Sequence, residues 1–438
     1  GIQMKPLQMP MFSPETEWIP PTHLPDLKDH KEIAIDLETR DPGLKSSGSG
    51  SVNGNGEVVG IAVAVEGWSG YFPIAHEGGG NMDRALVLDW FEEVLHTDAT
   101  KIFHNAMYDV SWIRSMGFYI RGGVIDTLIA ASLIDENRWG YALNALGKQY
   151  VGVGKNEKIL NDAAKSWGID PKADMWRLPA PLVGEYAEQD AVLTLRLWHA
   201  LQREISSQDL WDVFNLETNL FPCLIDMKFK GVRVDAEKAN LLKQELIKEE
   251  KNIYRGIRKL IGFDVEIWAA ASIAKAFDEV KLPYDRTEKG APSFTKNFLA
   301  THPHELPKAI ANAREINKAH TTFIDTIIKH EHNGRIHADI NQIRSDDGGT
   351  VTGRFSYSNP NLQQIPARNK DLGPKIRALF IPEKNHTWGC FDYSQQEPRI
   401  VVHFASLLKL EGSQTIVDQY NAGEADFHQM IADMAGIE

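Results

Sequence analysis

An apolar run that breaks off in two carboxylates, KEIAIDLETR at residues 31–40, sets the frame for the first half of the chain. Ile33, Ala34 and Ile35 read as a short strand. Asp36 and Glu38, two apart on it, leave the same face because strand side chains alternate. GLKSSGSGSVNGNGE follows, a Gly/Ser/Asn stretch that reads as a flexible loop without a catalytic role. VVGIAVAVEG and SGYFPIAH read as further strands, and helical patterns begin near Met82 and continue through residue 204. That alternation points to an α/β domain.

Beyond it, DAEKANLLKQELIKEEKNIYRGIRKLIG, from Asp235, and HELPKAIANAREINKAHTTFIDTIIKH are long helices with apolar residues near i, i+3, i+4. A helical middle domain follows from them. Between Gly334 and Gly353 the character changes to short strands and a Gly-rich turn, SDDGGTVTGR. Near the end, WGCFDYSQQEPRIVVHFA places Asp392 just past an apolar stretch that reads as a buried strand, with a helical pattern behind it. Residues 1–30 are Pro-rich and irregular.

Composition bounds the class. With 438 residues, 42% of them apolar and 24% charged, the chain has room for two to four domains. No run of eighteen apolar residues occurs and the N-terminus has no secretory pattern, so a soluble chain in the cytoplasm is expected. Cys223 and Cys390 are the only cysteines, which leaves neither a disulfide framework nor a thiolate metal site. A net charge of −13 argues against nucleic acid at face value, since phosphate contacts need Lys and Arg. Locally the balance reverses: Arg354, Arg368, Lys370, Lys375, Arg377, Lys384 and Arg399 stand against Asp371, Glu383, Asp392 and Glu397. A basic surface and a mixed solvated face both remain open there.

The acids carry the chemistry. Asn105 and Asp109 are four apart, as are Tyr186 and Asp190, and each pair lies in a helical pattern, so each is expected to share a helix face. Converging with Asp36 and Glu38, they supply four carboxylates and a phenol. Paired divalent ions need such an oxygen-rich set, because two ions stabilise both the attacking and the leaving oxygen of a phosphoryl displacement. The Tyr186 hydroxyl is placed to orient the attacking water.

In order, AIDLETR, FHNAMYDVSWI and EYAEQDAVLTLRLW resemble the three motifs of the DEDD proofreading 3′-5′ exonucleases, in the subgroup whose third motif carries Tyr. Downstream, TGRFSYSNPNLQQIPAR and FDYSQQEPRIVVHFA resemble the family A DNA polymerases, the bacterial polymerase I group and its phage relatives, and GVRVD, TEKGAPSFTKNFL and ADFHQMIADMAG fit the same family in order. The resemblance implies a ribonuclease H-like exonuclease domain, a mixed sheet with flanking helices, over 31–205. It further implies a helical thumb over 206–333 and the start of an α+β palm over 334–438. It makes Asp36, Glu38, Asp109 and Asp190 ligands of two Mg²⁺ or Mn²⁺ ions, with Tyr186 orienting water and Asn105 in support.

In the polymerase part the resemblance makes Asp392 the first palm aspartate on a second pair of ions, joined by the Tyr393 carbonyl. Glu397 closes the pocket against a ribose 2′-OH. Arg354 reaches the minor groove at the primer terminus, where acceptors common to all base pairs report pair geometry. Asn361 and Gln363 fall in the template-primer contact stretch, and Arg399 joins the substrate contacts. Pro398, Tyr357 and Gln364 depart from the family pattern, which bears on substrate preference; Pro398 falls in a helix's first turn, where its missing N–H costs little.

The family pattern continues past Glu438 into a fingers helix and a His-Asp-Glu strand. The expectation is a polymerase part completed by a second polypeptide, by intein splicing or by further sequence, acting on primer-template, single-stranded 3′ ends and dNTP in a cytoplasm, the host's if phage-encoded. A non-polymerising primer-template binding module, or a stand-alone exonuclease, is the alternative.

Overall fold

The computed structural model describes residues 10, 11 and 13–436; the rest of the expected N-terminal irregular segment lies outside the described residues. Two compact units part between Ile381 and Pro382.

The first unit begins with a five-stranded sheet in the order β3-β2-β1-β4-β5, built from β1 (Glu32–Arg40), β2 (Glu57–Val65), β3 (Trp68–Pro73), β4 (Thr100–Phe103) and β5 (Val124–Asp126). β1 runs antiparallel to β2 and parallel to β4, so the sheet is mixed. A two-residue turn, with Gly67 at φ 81°, closes the β2–β3 hairpin; only the left-handed region lets so short a turn follow the strand twist.

The alternation of β1 sorts its side chains by face. Ile33, Ile35 and Leu37 join a core with Phe72, Trp90 and Phe91, under helices α2 (Arg84–Leu95) and α3 (Ala106–Ser115). Ala34, with Ala62 and Ala64 of β2, faces the opposite core, built with α4 (Thr127–Ile134), α5 (Leu143–Tyr150), α6 (Lys158–Trp167) and the 24-residue α7 (Gly184–Ser207). Small side chains there let α7 lie close to the sheet. Asp36 and Glu38 continue the alanine face of β1 and so point toward α7.

Two elements differ from the sequence reading. The Gly/Ser stretch after β1 is not a bare flexible loop: it holds the short α1 (Leu44–Ser47), Ser51 is buried, the Gly50 N–H donates to Asp41, and Lys329 donates to the Ser46 carbonyl. Composition measured the chain's local freedom, whereas contacts with distant residues removed it. Residues 388–391, the apolar stretch before Asp392 that reads as a buried strand, form no strand, and Phe391 is 97% exposed. A strand exists through its ladder of hydrogen bonds to a neighbouring strand, and among the described residues no strand runs alongside this segment.

The middle of the chain is helical. α8 (Trp211–Lys230) leads by a short strand, Val232–Val234, into α9 (Ala236–Ile261), which Asp235 caps by accepting the Lys238 N–H. The second long helical stretch, Glu305–Lys318, widens into a π-helical turn at Ala319–Ile324 before closing as Asp325–His330. Val232–Val234 also pairs with Arg335–Ile336 and Phe380–Ile381, so one small sheet ties both ends of this region together. The second unit is helical, with Gln396–Leu407, Ser413–Asn421 and Phe427–Ala435. Among the described residues no helix is long and apolar enough to cross a membrane.

Candidate active site

Asp36 and Glu38 stand half-buried on the α7 face of β1, opposite Ala62 and Gly60 of β2. Gly60 is required at its position: a Cβ there would meet the Tyr71 hydroxyl at 1.9 Å. The register of β1 slips between Glu38 and Thr39, and such a bulge twists the strand end just past the two carboxylates. From α7, Tyr186 and Asp190, one turn apart, come down onto the same place, both nearly buried. Carboxylate oxygens of Asp36, Glu38 and Asp190 all lie within 4.8 Å of one another.

Asp109 enters from α3. It is outside that 4.8 Å group, yet near enough that the charges of Glu38 and Asp190 act on it; its Oδ2 is buried without a hydrogen-bond partner. Asn105, expected on the same helix face, is not in the helix. It precedes α3 in the left-handed region, φ 66°, a conformation Asn tolerates. The cause is Asp126, whose carboxylate accepts the N–H groups of Asn105, Ala106 and Leu128, each at 2.9 Å, and so starts α3 and α4 together. Asn105 instead lines a cleft of about 630 Å³ with Tyr108, Phe221 and Asn341 among others.

Burial raises all four acids, and repulsion from other acids of the set adds to it for Asp36, Glu38 and Asp109. Asp36 is held well above the ordinary carboxylate value by burial and by Asp190, Asp109 and Glu38; Asp109 by burial and Glu38. Asp190 is raised by burial against the opposing pull of Lys155, and burial with Asp190 pushes Glu38 up to about 8. Four crowded acids and an unpartnered buried oxygen are what a hard divalent cation requires, so the residues fit such an ion.

This has a measurable consequence without metal. A carboxylate raised on folding stabilises the fold below its unfolded value and loses that contribution as pH rises through the folded one, here between about pH 4.5 and about 8 for Glu38. In EDTA the melting temperature therefore falls across that window, and Glu38→Gln at pH 8 raises it by roughly 4 °C or more. A melting temperature in EDTA that rises from pH 5 to 8, or a destabilised Glu38→Gln, would contradict this electrostatic picture.

Two participants escaped the sequence reading. Asp126 has a recognisable signature, an Asp closing an apolar strand and capping the next helix. Lys155 has none. It sits in an irregular loop, and its Nζ lies 2.9 Å from the Tyr186 hydroxyl and 2.9 Å from Asp190 Oδ1.

The polymerase-type residues fall elsewhere. Arg354 is exposed in the turn before Ser356–Ser358; Asn361 accepts the Gln363 N–H, and Gln363 donates from Nε2 to the Phe355 carbonyl at 3.0 Å. In the second unit Asp392 and Tyr393 lie in the exposed segment before the helix Gln396–Leu407, with Glu397 in its first turn. Arg399 donates to the Ser394 carbonyl and lies over the Tyr420 ring, 4.7 Å from its centroid.

Comparison with known proteins agrees with both halves. A family model described as 3′-5′ exonuclease matches residues 22–206, and one described as DNA polymerase family A matches residues 236–437. The chain is 37% identical to a DNA-directed DNA polymerase of Pseudomonas phage M6, over 99% of this chain and 69% of that one. It is 30% identical to DNA polymerase DpoZ of Salmonella phage PMBT28, over 94% and 67%. DNA polymerase I of Pseudomonas aeruginosa is 29% identical over 87% of this chain and 42% of its own length. Among solved structures, the POL domain of Pol1 from M. smegmatis, in complex with DNA primer-template and dNTP, shares the fold with a TM-score of 0.67 at 20% identity, over 94% of this chain and 65% of that one.

Proposed function

Because the chain belongs to DNA polymerase family A and carries a 3′-5′ exonuclease domain ahead of its polymerase region, we propose that its first 205 residues remove nucleotides from single-stranded DNA 3′ ends. The observation that carries this reading is the convergence of Asp36, Glu38 and Asp190, with Asp109 and Tyr186 beside them, on the α7 face of the sheet's central strand. Asp36, Glu38, Asp109 and Asp190 would hold two Mg²⁺ or Mn²⁺ ions. Bound there, such ions supply positive charge to the oxygens of the phosphodiester as it breaks.

The protein's own groups do the rest. Tyr186 presents a hydroxyl at the carboxylates to orient the attacking water. Asn105, held in its left-handed turn by Asp126, offers its side chain to the single strand from the adjacent cleft. Burial around the four acids excludes bulk water and so strengthens each electrostatic contact.

For the polymerase region we propose primer-template and dNTP as substrates, with Asp392 and the Tyr393 carbonyl as metal ligands. Arg354, Asn361 and Gln363 face the template-primer, and Glu397 and Arg399 the nucleotide. Asp392 would share its metal ions with further acidic and cationic groups, carried on the same or a second polypeptide.

A 5′-labelled oligonucleotide incubated with the chain and Mn²⁺ tests the nuclease reading. Stepwise shortening from the 3′ end is expected; tight binding with unchanged length would instead favour a primer-template binding module.

A further inference from the structure

The loop joining α5 to the helix Lys158–Trp167 is held at two points: the Lys155 N–H donates to Asn144 Oδ1 and the Asn156 N–H to Gln189 Oε1, each at 2.8 Å. These anchors drive the Lys155 side chain inward until only 10% of it is exposed. Its ammonium ends 2.9 Å from the Tyr186 hydroxyl, 2.9 Å from Asp190 Oδ1 and 4.7 Å from the Tyr186 ring centroid. A lysine carried to that place by backbone bonds to two helices is part of the site's construction.

We propose that Lys155 is a positioning residue of the nuclease, a resident cation that sets the direction of the Tyr186 hydroxyl and competes with the divalent ions for Asp190. The inference rests on the nuclease reading above and assigns it a residue outside the acidic motifs. An ammonium has three donors and no acceptor, so the Tyr186 oxygen must accept from Lys155. That occupies one lone pair and leaves the hydroxyl proton and the other lone pair for water. Without Lys155 the hydroxyl proton would turn toward the nearest carboxylate, Asp190 first, and the water would lose its guide. Burial opposes the charge of Lys155, but Asp190 and Tyr186 beside it outweigh burial and hold the ammonium charged.

The two roles respond in opposite directions when the charge is removed, which a merely structural lysine would not do. Lys155→Met takes a positive charge out of a cation site, so Mn²⁺ binds the full chain several-fold tighter, read by EPR titration without DNA. The same variant loses roughly 10- to 100-fold in kcat on single-stranded DNA, with KM within about threefold. In a Tyr186→Phe background the further loss in kcat is below about threefold, because the hydroxyl that Lys155 directs is gone. Lys155→Arg keeps the charge and should hold Mn²⁺ affinity within about threefold of wild type, which separates lost charge from altered packing.

Mn²⁺ binding by Lys155→Met that is unchanged or weaker, or a full loss of kcat persisting in Tyr186→Phe, overturns the inference. If wild type binds no Mn²⁺, or binds it indifferently to Asp190→Asn, the nuclease site itself is wrong and the inference falls with it. Only the first pair of outcomes leaves the site standing.

Discussion

Asp36→Ala combined with Glu38→Ala abolishes 3′-end digestion while leaving the chain folded. The two side chains supply two of the three carboxylates that meet within 4.8 Å, so their loss removes two of the ligands proposed for the divalent ions. Several kcal/mol of charge stabilisation, at about 1.4 kcal/mol per tenfold in rate, corresponds to a fall of at least about 10³-fold. Stability moves the other way. Both acids are raised by burial and by their acidic neighbours, so alanine relieves repulsion and the metal-free melting temperature holds or rises. Rates on a 5′-labelled oligonucleotide and a melting curve in EDTA check both halves. Undiminished digestion by the purified double variant would remove Asp36 and Glu38 from the site.

A polypeptide of residues 1–438 extends no primer, even with primer-template, dNTP and Mg²⁺ present, while it still digests single strands. Among the described residues the one acidic cluster able to hold a metal is that of Asp36, Glu38 and Asp190. Asp392 is exposed between Phe391 and Tyr393, at 97% and 81% exposure, on a segment with no strand partner. One carboxylate does not hold two ions against water, and nucleotidyl transfer without both loses its main source of charge stabilisation. The chain spans 69% and 67% of the two phage polymerases it matches. Supplying the part of such a relative that the chain does not span, in cis or in trans, should restore extension, and Asp392→Ala should remove it again. Templated extension by residues 1–438 alone, free of host polymerases, would mean that a residue elsewhere in this chain completes the metal site.

What the sequence determined by itself is what depends on short-range geometry. The period of two in residues 33–38 places Ile33, Ile35 and Leu37 on one face and Asp36 and Glu38 on the other, whatever packs there later. The spacing of four between Tyr186 and Asp190 puts both on one side of α7 for the same reason. The long helices from Ala236 and from Glu305 also follow from local periodicity, and Asp235 even marks where the first begins.

Tertiary structure decided whatever a distant partner controls. Asn105 leaves the helix pattern because Asp126, twenty-one positions on, takes its N–H. The glycine-rich stretch after β1 is tied by Lys329, far along the chain, and residues 388–391 join no sheet among the described residues, because no strand lies alongside to complete a ladder. Lys155 is the sharpest case. Nothing in GVGKNEK distinguishes it from a solvated lysine, and it reaches Tyr186 and Asp190 because Asn144 and Gln189 hold its loop against two helices. Periodicity is written in neighbouring residues, whereas the place of a loop side chain is set by the surfaces that close around it.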